Sequence, residues 1–202
     1  MSHKPKTRIC VLVSGGGTNL QALIDAEKRG ELPDGVLGLV VSNRKNAYAL
    51  ERAKAAGIPV RWIGKQDFEY DLQQVLQDEK IDMIILAGFL RILTQSFTEK
   101  WPRRILNIHP SLIPSFCGEG FYGLKVHEAA LERGVKLTGA TVHYVNEIPD
   151  GGEIIAQKAV EILPDDTPET LQRRVMEQAE WKLLPAAVES VSAQLLASRK
   201  DS

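Results

Sequence analysis

The 202 residues suffice for one domain with an apolar core that needs no disulfide or metal staple. Apolar and charged fractions of 44% and 25% are those of an ordinary soluble protein, and a formal net charge of −1 supplies no electrostatic footprint for nucleic acid. No apolar run reaches membrane-spanning length, and the basic start is followed by only a strand-length apolar segment, too short for a signal-peptide core. Cys10 and Cys117 match neither a metal nor a redox spacing. Cys10 reads as a buried strand residue and Cys117 as a residue of a Gly-rich loop, which together suit a reducing cytosol.

Apolar strand-like runs alternate with helix-like segments. Residues 8–13 read as a buried strand and 19–29 as a helix capped by Thr18 or Asn19. A second strand covers 36–41, a helix 47–56 ends at Gly57, a short strand covers 60–63 and a helix 68–79. Residues 83–87 and 105–108 are all-apolar or nearly so, as parallel strands covered on both faces are. A helix is expected to begin near Gly123. The last third changes character, with longer strands at 138–145 and 153–162 joined across 146–152. A long helix follows from 168 to 197, opened by Thr167-Pro168-Glu169 and interrupted near Pro185. The prediction is a single α/β domain over 1–202 with a mostly parallel, Rossmann-like sheet and helices on both faces. Residues 1–6 and 199–202 are expected to fray.

Ser14-Gly15-Gly16-Gly17-Thr18-Asn19-Leu20 follows the first strand and opens the first helix. It lacks the lysine of a Walker A loop. As a dinucleotide fingerprint it has Leu20 at the third glycine position, and Ser42-Asn43-Arg44 stands where the second strand should end in an acid, which weakens an NADP reading. Two readings remain from the residues alone: a phosphate monoester cradled by the amides of Gly17, Thr18 and Asn19 with the Thr18 hydroxyl, or a tight turn that binds nothing.

Asn107 and His109 lie two apart where an apolar strand runs out, so both can face one small group. An amide donor beside an imidazole suits a tetrahedral oxyanion and a proton that must move, hence acyl-type transfer. Asp150 on a later loop would raise the His109 pKa, although Pro-Asp-Gly by itself is ordinary turn punctuation. His143 alternates with Thr141 and Val145 on a strand, either facing the site or structural. His127 reads as a surface or packing residue. The histidines lack the close ligand pair of zinc motifs, so no metal is expected, and Ser111 lacks a nucleophile elbow.

With these residues assembled, nearly the whole chain resembles the phosphoribosylglycinamide formyltransferases of the folate-dependent formyltransferase family. The resemblance is carried by the 14–21 glycine loop, Ala87-Gly88-Phe89-Leu90-Arg91-Ile92-Leu93, Asn107-Ile108-His109-Pro110-Ser111-Leu112, and Val142-His143-Tyr144-Val145 through Asp150-Gly151-Gly152. It implies transfer of a formyl group from 10-formyltetrahydrofolate, as cosubstrate, to the amine of glycinamide ribonucleotide in purine synthesis. No nucleic-acid or membrane partner is expected, and a homodimer is left open. Asn107, His109 and Asp150 would be the catalytic trio, with His143 in support. Gly17, Thr18 and Asn19 would hold the phosphate, and Glu180 would meet the glycinamide end. Leu90, Arg91, Ile92 and Leu93 would line the folate site with Asn107, and the backbone of Asn146, Glu147, Ile148, Pro149 and Asp150 would read the pterin.

Three departures from that family stand out. Trp181 replaces the usual histidine after the glutamate. Lys65 is a weak stand-in for a folate-contacting arginine. The loop 115–123 is long and glycine-rich, which suggests a lid over the substrates. The rivals are a formyltetrahydrofolate hydrolase, with water in place of the amine, a non-catalytic nucleotide-binding module, and an NADP-dependent reductase. A tRNA formyltransferase would need a further domain and a basic surface.

Overall fold

A computed structural model describes residues 5–64 and 66–199, so Lys65 and the outermost residues of the expected frayed ends lie outside the described residues. Strand β1 (Thr7–Val13) leads through the glycine loop into α1 (Thr18–Lys28), followed by β2 (Gly35–Ser42), α2 (Tyr48–Ala55), β3 (Val60–Trp62), α3 (Phe68–Asp78) and β4 (Met83–Leu86). A short helix, α4 (Gln95–Thr98), precedes β5 (Ile105–His109) and α5 (Leu124–Arg133); β6 (Leu137–Tyr144) and β7 (Ile154–Glu161) then form a hairpin. The sheet order is β3-β2-β1-β4-β5-β6-β7. The pairs among β1 to β5 are parallel, and β5–β6 and β6–β7 are antiparallel. The expected mostly parallel α/β architecture is present, and α4 is the element the periodicity did not reveal, being a single turn.

Strand alternation explains the two layers of core. Ile9, Val11 and Val13 join the cluster that contains Leu20, Leu23, Val188 and Val191 from α1 and the C-terminal helix. Cys10 and Leu12 join the opposite cluster, with Phe68, Leu72 and Leu76 of α3 and Phe97 of α4. Successive strand residues point to opposite faces, so a strand covered on both sides must be apolar throughout.

Two expected helix ends are corrected. No side chain caps α1; its N-cap is Gly17 at φ 74°. The reason is competition. The Thr18 hydroxyl turns to Met176 Sδ and the Asn19 amide to Glu180, while the left-handed turn itself needs glycine. The C-terminal helix changes register well before Pro185. Helix α6 (Pro168–Val175) passes into a single π turn (Met176–Glu180) and then α7 (Trp181–Ser198), with Pro185 inside α7. A π turn inserts one residue into the helix and takes up the register change. It buries Ala179 and Glu180 side by side.

Thr167 opens α6 with a capping box, its hydroxyl accepting from Thr170 N–H and its own N–H donating to Thr170 Oγ1 at 2.9 Å. Thr167→Ala should lower stability by about 1 kcal/mol. Urea unfolding checks this, and an unchanged midpoint would show that Pro168 alone sets the helix start.

Candidate active site

Parallel strands deliver their loops to one sheet edge, and where the order reverses beside β1 the loops diverge and leave a crevice. Here the glycine loop after β1, the Gly88–Leu90 turn after β4 and the end of β5 meet. Buried Ser14 ties them together: its N–H donates to Gly88 O (3.2 Å), its hydroxyl donates to Asn43 Oδ1 (2.8 Å) and accepts from Leu90 N–H (3.0 Å). Sequence reading passed over Ser14 as part of the glycine run.

The crevice contains a cavity of about 410 Å³. Thr18, Asn19, Leu90, Arg91, Ile92, Asn107, His109, Pro149, Asp150 and Glu180 all line it. Residues 90 in sequence apart are thus neighbours, and the phosphate-loop and acyl-transfer candidates share one space.

The antiparallel β5–β6 pair sets the geometry at its centre. Asn107 lies opposite His143 and His109 opposite Thr141. Thr141 accepts from Ile113 N–H and donates to Ser111 O at 2.7 Å, which fixes the chain after β5. Gly152 packs against the Tyr144 carbonyl with no room for a Cβ, so the loop returns tightly and carries Asp150, at φ 55°, over the strand ends.

His143 Nδ1 lies 2.8 Å from the Tyr144 carbonyl, which places the proton on Nδ1 and leaves Nε2 as an acceptor. Nε2 receives Asn107 Nδ2 at 3.1 Å, and the same amide nitrogen lies 3.3 Å from Asp150 Oδ1. Flipping the amide would set its oxygen against a carboxylate, so the hydrogen bonds favour this orientation. The free donor expected at Asn107 is therefore already engaged by Asp150 and His143. The physical reason is that the carboxylate is within reach of an otherwise unoccupied N–H.

His109 is 4% exposed. Its Nε2 lies 2.8 Å from the Phe116 carbonyl and its Nδ1 3.4 Å from Asp150 Oδ2. Acceptors at both nitrogens favour the charged ring, and Asp150 does pull the pKa upward, as expected. Burial is the larger effect and holds the His109 pKa below the ordinary imidazole value, reversing the net direction expected from Asp150. Burial also works to raise the Asp150 carboxyl, but His109 and the Gly118 N–H at 2.9 Å help hold it below the ordinary aspartate value. Asp150 is thus an ionised carboxylate facing two imidazoles.

The loop expected as a lid does cover the site. Phe116 and Gly118 contact His109 and Asp150 directly, and Gly118, Glu119, Phe121 and Tyr122 line the cavity. His127, expected at the surface or in packing, is fully buried and lines the cavity, with no hydrogen-bond partner at either ring nitrogen among the described residues. Burial, and then the neighbouring His109, push its pKa down to about 4. Its place was readable in part, since Val126 and Ala130 mark the inward face of α5 beside it.

Near the phosphate loop, Asn19 Nδ2 donates to Glu180 Oε2 at 2.6 Å, and the buried Asn19 Oδ1 has no partner among the described residues. The Asn19 side chain thus serves the glutamate, and only its backbone is available to an anion. Of the expected folate contacts, Leu90 and Ile92 are exposed apolar side chains at the cavity mouth, and Arg91 lies over the Phe68 ring at 4.8 Å. Leu93 is instead buried in the α3-side core. Asn146 and Glu147 line a separate cavity with Arg103 and Tyr144, and Ile148 is exposed outside the central one. Trp181 lines neighbouring cavities with Arg29 and Lys182 and not the central one. Among the described residues no group of three or more His, Cys, Asp or Glu is arranged to hold a metal ion, and no helix is long and apolar enough to cross a membrane.

Comparison with known proteins agrees in fold and in family. A family model described as formyl transferase matches residues 7–188. Phosphoribosylglycinamide formyltransferase of Haemophilus influenzae is 41% identical over 90% of this chain and 85% of its own length. The human trifunctional purine biosynthetic protein adenosine-3 is 44% identical over 95% of this chain, which spans only 19% of that protein. The solved glycinamide ribonucleotide transformylase 1 of Symbiobacterium toebii superposes with a TM-score of 0.86 at 39% identity, covering 94% of this chain and 89% of that one. A formyltetrahydrofolate deformylase structure from Burkholderia mallei superposes with a TM-score of 0.82 at 28% identity, covering 94% of this chain and 66% of its own.

Burial pushes the Glu180 carboxyl up from 4.5 to about 6, with the Asn19 N–H opposing. Folding therefore favours its protonated form. That stabilisation is complete below about pH 4.5 and is lost as pH rises through about 6, a loss of about 2 kcal/mol. Glu180→Gln should be more stable than the parent by up to that amount at pH 7.5 and equal to it at pH 4.5. Urea unfolding at both pH values tests this, and a pH-independent difference would refute it.

Proposed function

Because the chain belongs to the formyl transferase family, we propose that it transfers a formyl group from 10-formyltetrahydrofolate to the primary amine of glycinamide ribonucleotide. The observation that carries this reading is the convergence of Asn107, His109 and Asp150, with His143 behind Asn107, on the cavity that also contains Thr18 and Asn19 of the glycine loop. A single ligand can then place a phosphate at one end and an amine at the other.

The amide N–H groups of Gly17, Thr18 and Asn19 take the phosphate at the N-terminus of α1. Glu180 meets the amide-bearing part of the same substrate. The folate lies over Leu90 and Ile92, with Arg91 at its side and Pro149 near the pterin; Asn146, Glu147 and Ile148 form the outer wall of that loop.

The amine attacks the formyl carbon, a C–N bond forms, and negative charge collects on the formyl oxygen. The long 3.3 Å contact from Asn107 to Asp150 is the one to yield, freeing that N–H for the oxyanion while His143 keeps the amide oriented. The attacking nitrogen becomes cationic beside the Asp150 carboxylate. Its proton passes to His109, neutral in the empty site, and from there to the departing folate nitrogen as the old C–N bond breaks. No protein nucleophile is needed, and the proton lost by the amine is the one gained by the leaving group.

Likeness to the deformylase keeps hydrolysis in view as the second reading. An assay with 10-formyltetrahydrofolate, with and without glycinamide ribonucleotide, separates the two. Conversion that requires the amine is expected, and equal conversion without it would mean that water is the acceptor.

Asn107→Ala should lower kcat by about 10²–10³, the loss of one oxyanion donor. A near-normal kcat would remove Asn107 from the chemistry. Activity should rise with pH through the His109 pKa, since the ring must be neutral to accept a proton. Asp150→Asn removes the charge that raises this pKa, so the residual activity should show its acidic limb at lower pH. A pH–rate profile with an unmoved limb would leave Asp150 as a turn residue only.

A further inference from the structure

The glycine loop is held from below by a helix that the sequence gives no reason to associate with it. Ala49 N–H of α2 donates to Gly15 O at 3.0 Å, Arg52 Nε of α2 donates to Gly16 O at 2.8 Å, and Gln21 N–H donates to Gly17 O at 2.9 Å. In contrast, among the described residues no backbone carbonyl accepts from the N–H groups of residues 15–19. Three successive carbonyls are tied down and the amides are left free.

A trans peptide is planar, with its C=O and the following N–H pointing opposite ways. Fixing the Gly16 carbonyl against Arg52 therefore aims the Gly17 N–H away from α2, and fixing the Gly17 carbonyl against Gln21 N–H aims the Thr18 N–H out of the N-terminus of α1. The fit is close: a Cβ on Gly17 would lie 2.6 Å from Ala49 Cβ. Arg52 is itself held, with Nη1 donating to Gln21 Oε1 at 3.1 Å and its guanidinium carbon 5.0 Å from the Tyr48 ring centre. Its planar fork reaches a carbonyl and an amide oxygen in one fixed geometry, as an ammonium on a flexible stem does not.

We propose that Arg52 is a positioning residue for the phosphate subsite, orienting the Gly16–Gly17 peptide plane so that the loop amides face the ligand and adding one positive charge behind them. This rests on the reading that the glycine loop holds the substrate's phosphate.

The test compares the parent, Arg52→Met and Arg52→Lys with glycinamide ribonucleotide and with its dephosphorylated riboside, and measures competition by inorganic phosphate. Arg52→Met should raise KM for the ribonucleotide by about tenfold or more, a charge-assisted hydrogen bond being lost, and should do so far more than it lowers kcat. Its use of the riboside should match that of the parent, phosphate should compete more weakly, and Arg52→Lys should recover part of the loss. An unchanged ratio of ribonucleotide to riboside KM in Arg52→Met overturns the proposal. Should circular dichroism show that this variant does not fold, the same ratio in Arg52→Lys decides, and parity with the parent again overturns it. A parent enzyme that uses riboside and ribonucleotide equally, unaffected by phosphate, would instead refute the phosphate reading of the loop itself.

Discussion

The Asp150 carboxylate is the charge about which the rest of the site is arranged. Its two oxygens accept from Asn107 Nδ2 and the Gly118 N–H and lie beside His109 Nδ1 and His143 Nε2, groups drawn from β5, β6 and the covering loop. A partly buried carboxylate without such partners would take up a proton rather than remain charged. With them it stays ionised, and each partner is oriented in return. His143 is fixed as the Nδ1–H tautomer by the Tyr144 carbonyl, Asn107 is fixed by His143, and His109 is stretched between Asp150 and Phe116. The empty site is thus internally saturated, and a ligand exchanges existing hydrogen bonds for its own. That exchange suits a reaction in which a cationic nitrogen forms beside the carboxylate for only part of the cycle.

The sheet makes this arrangement available. Parallel β1, β4 and β5 end on one edge and bring the glycine loop, the Gly88–Leu90 turn and the Asn107–His109 pair together, with Ser14 as the common tie. The change to antiparallel pairing at β6 matters as much. Only a strand running back along β5 can set His143 across from Asn107 and then return Asp150 over the same edge. Binding and proton-transfer groups therefore meet at β5. The parallel half supplies amides, apolar surface and His109, and the antiparallel hairpin supplies His143 and Asp150.

The π turn adds a third contribution. By widening the helix for one turn it buries Glu180 against Asn19, so that the first residues of α1 and the last helix meet at the cavity wall. The cost is a carboxyl kept from water with one hydrogen bond, and the Asn19 carbonyl oxygen beside it has no partner among the described residues. Neighbouring unsatisfied acceptors in a cavity wall are where a ligand that donates hydrogen bonds is held most strongly.

Much of this was legible in the chain itself. Apolar runs at 8–13, 83–87 and 105–108 determine buried parallel strands, because burial on both faces leaves no polar alternation. The glycine loop and Asn107-Ile108-His109 are local signals, set by the spacing of a turn and of a strand. What depended on register was not legible. Nothing in the sequence pairs His143 with Asn107, ties Arg52 to Gly16, sets the inward-facing His127 beside His109, or turns Asn19 toward Glu180 rather than into a cap. The sign of the His109 shift also needed the tertiary structure, since proximity to Asp150 raises the pKa and only the depth of burial reveals that desolvation outweighs it. Sequence by itself determined which elements form and which residues could do chemistry, because those follow from local periodicity. Tertiary structure decided which of them touch and in what charge state, because contacts between distant segments and the removal of water exist only once the chain has packed.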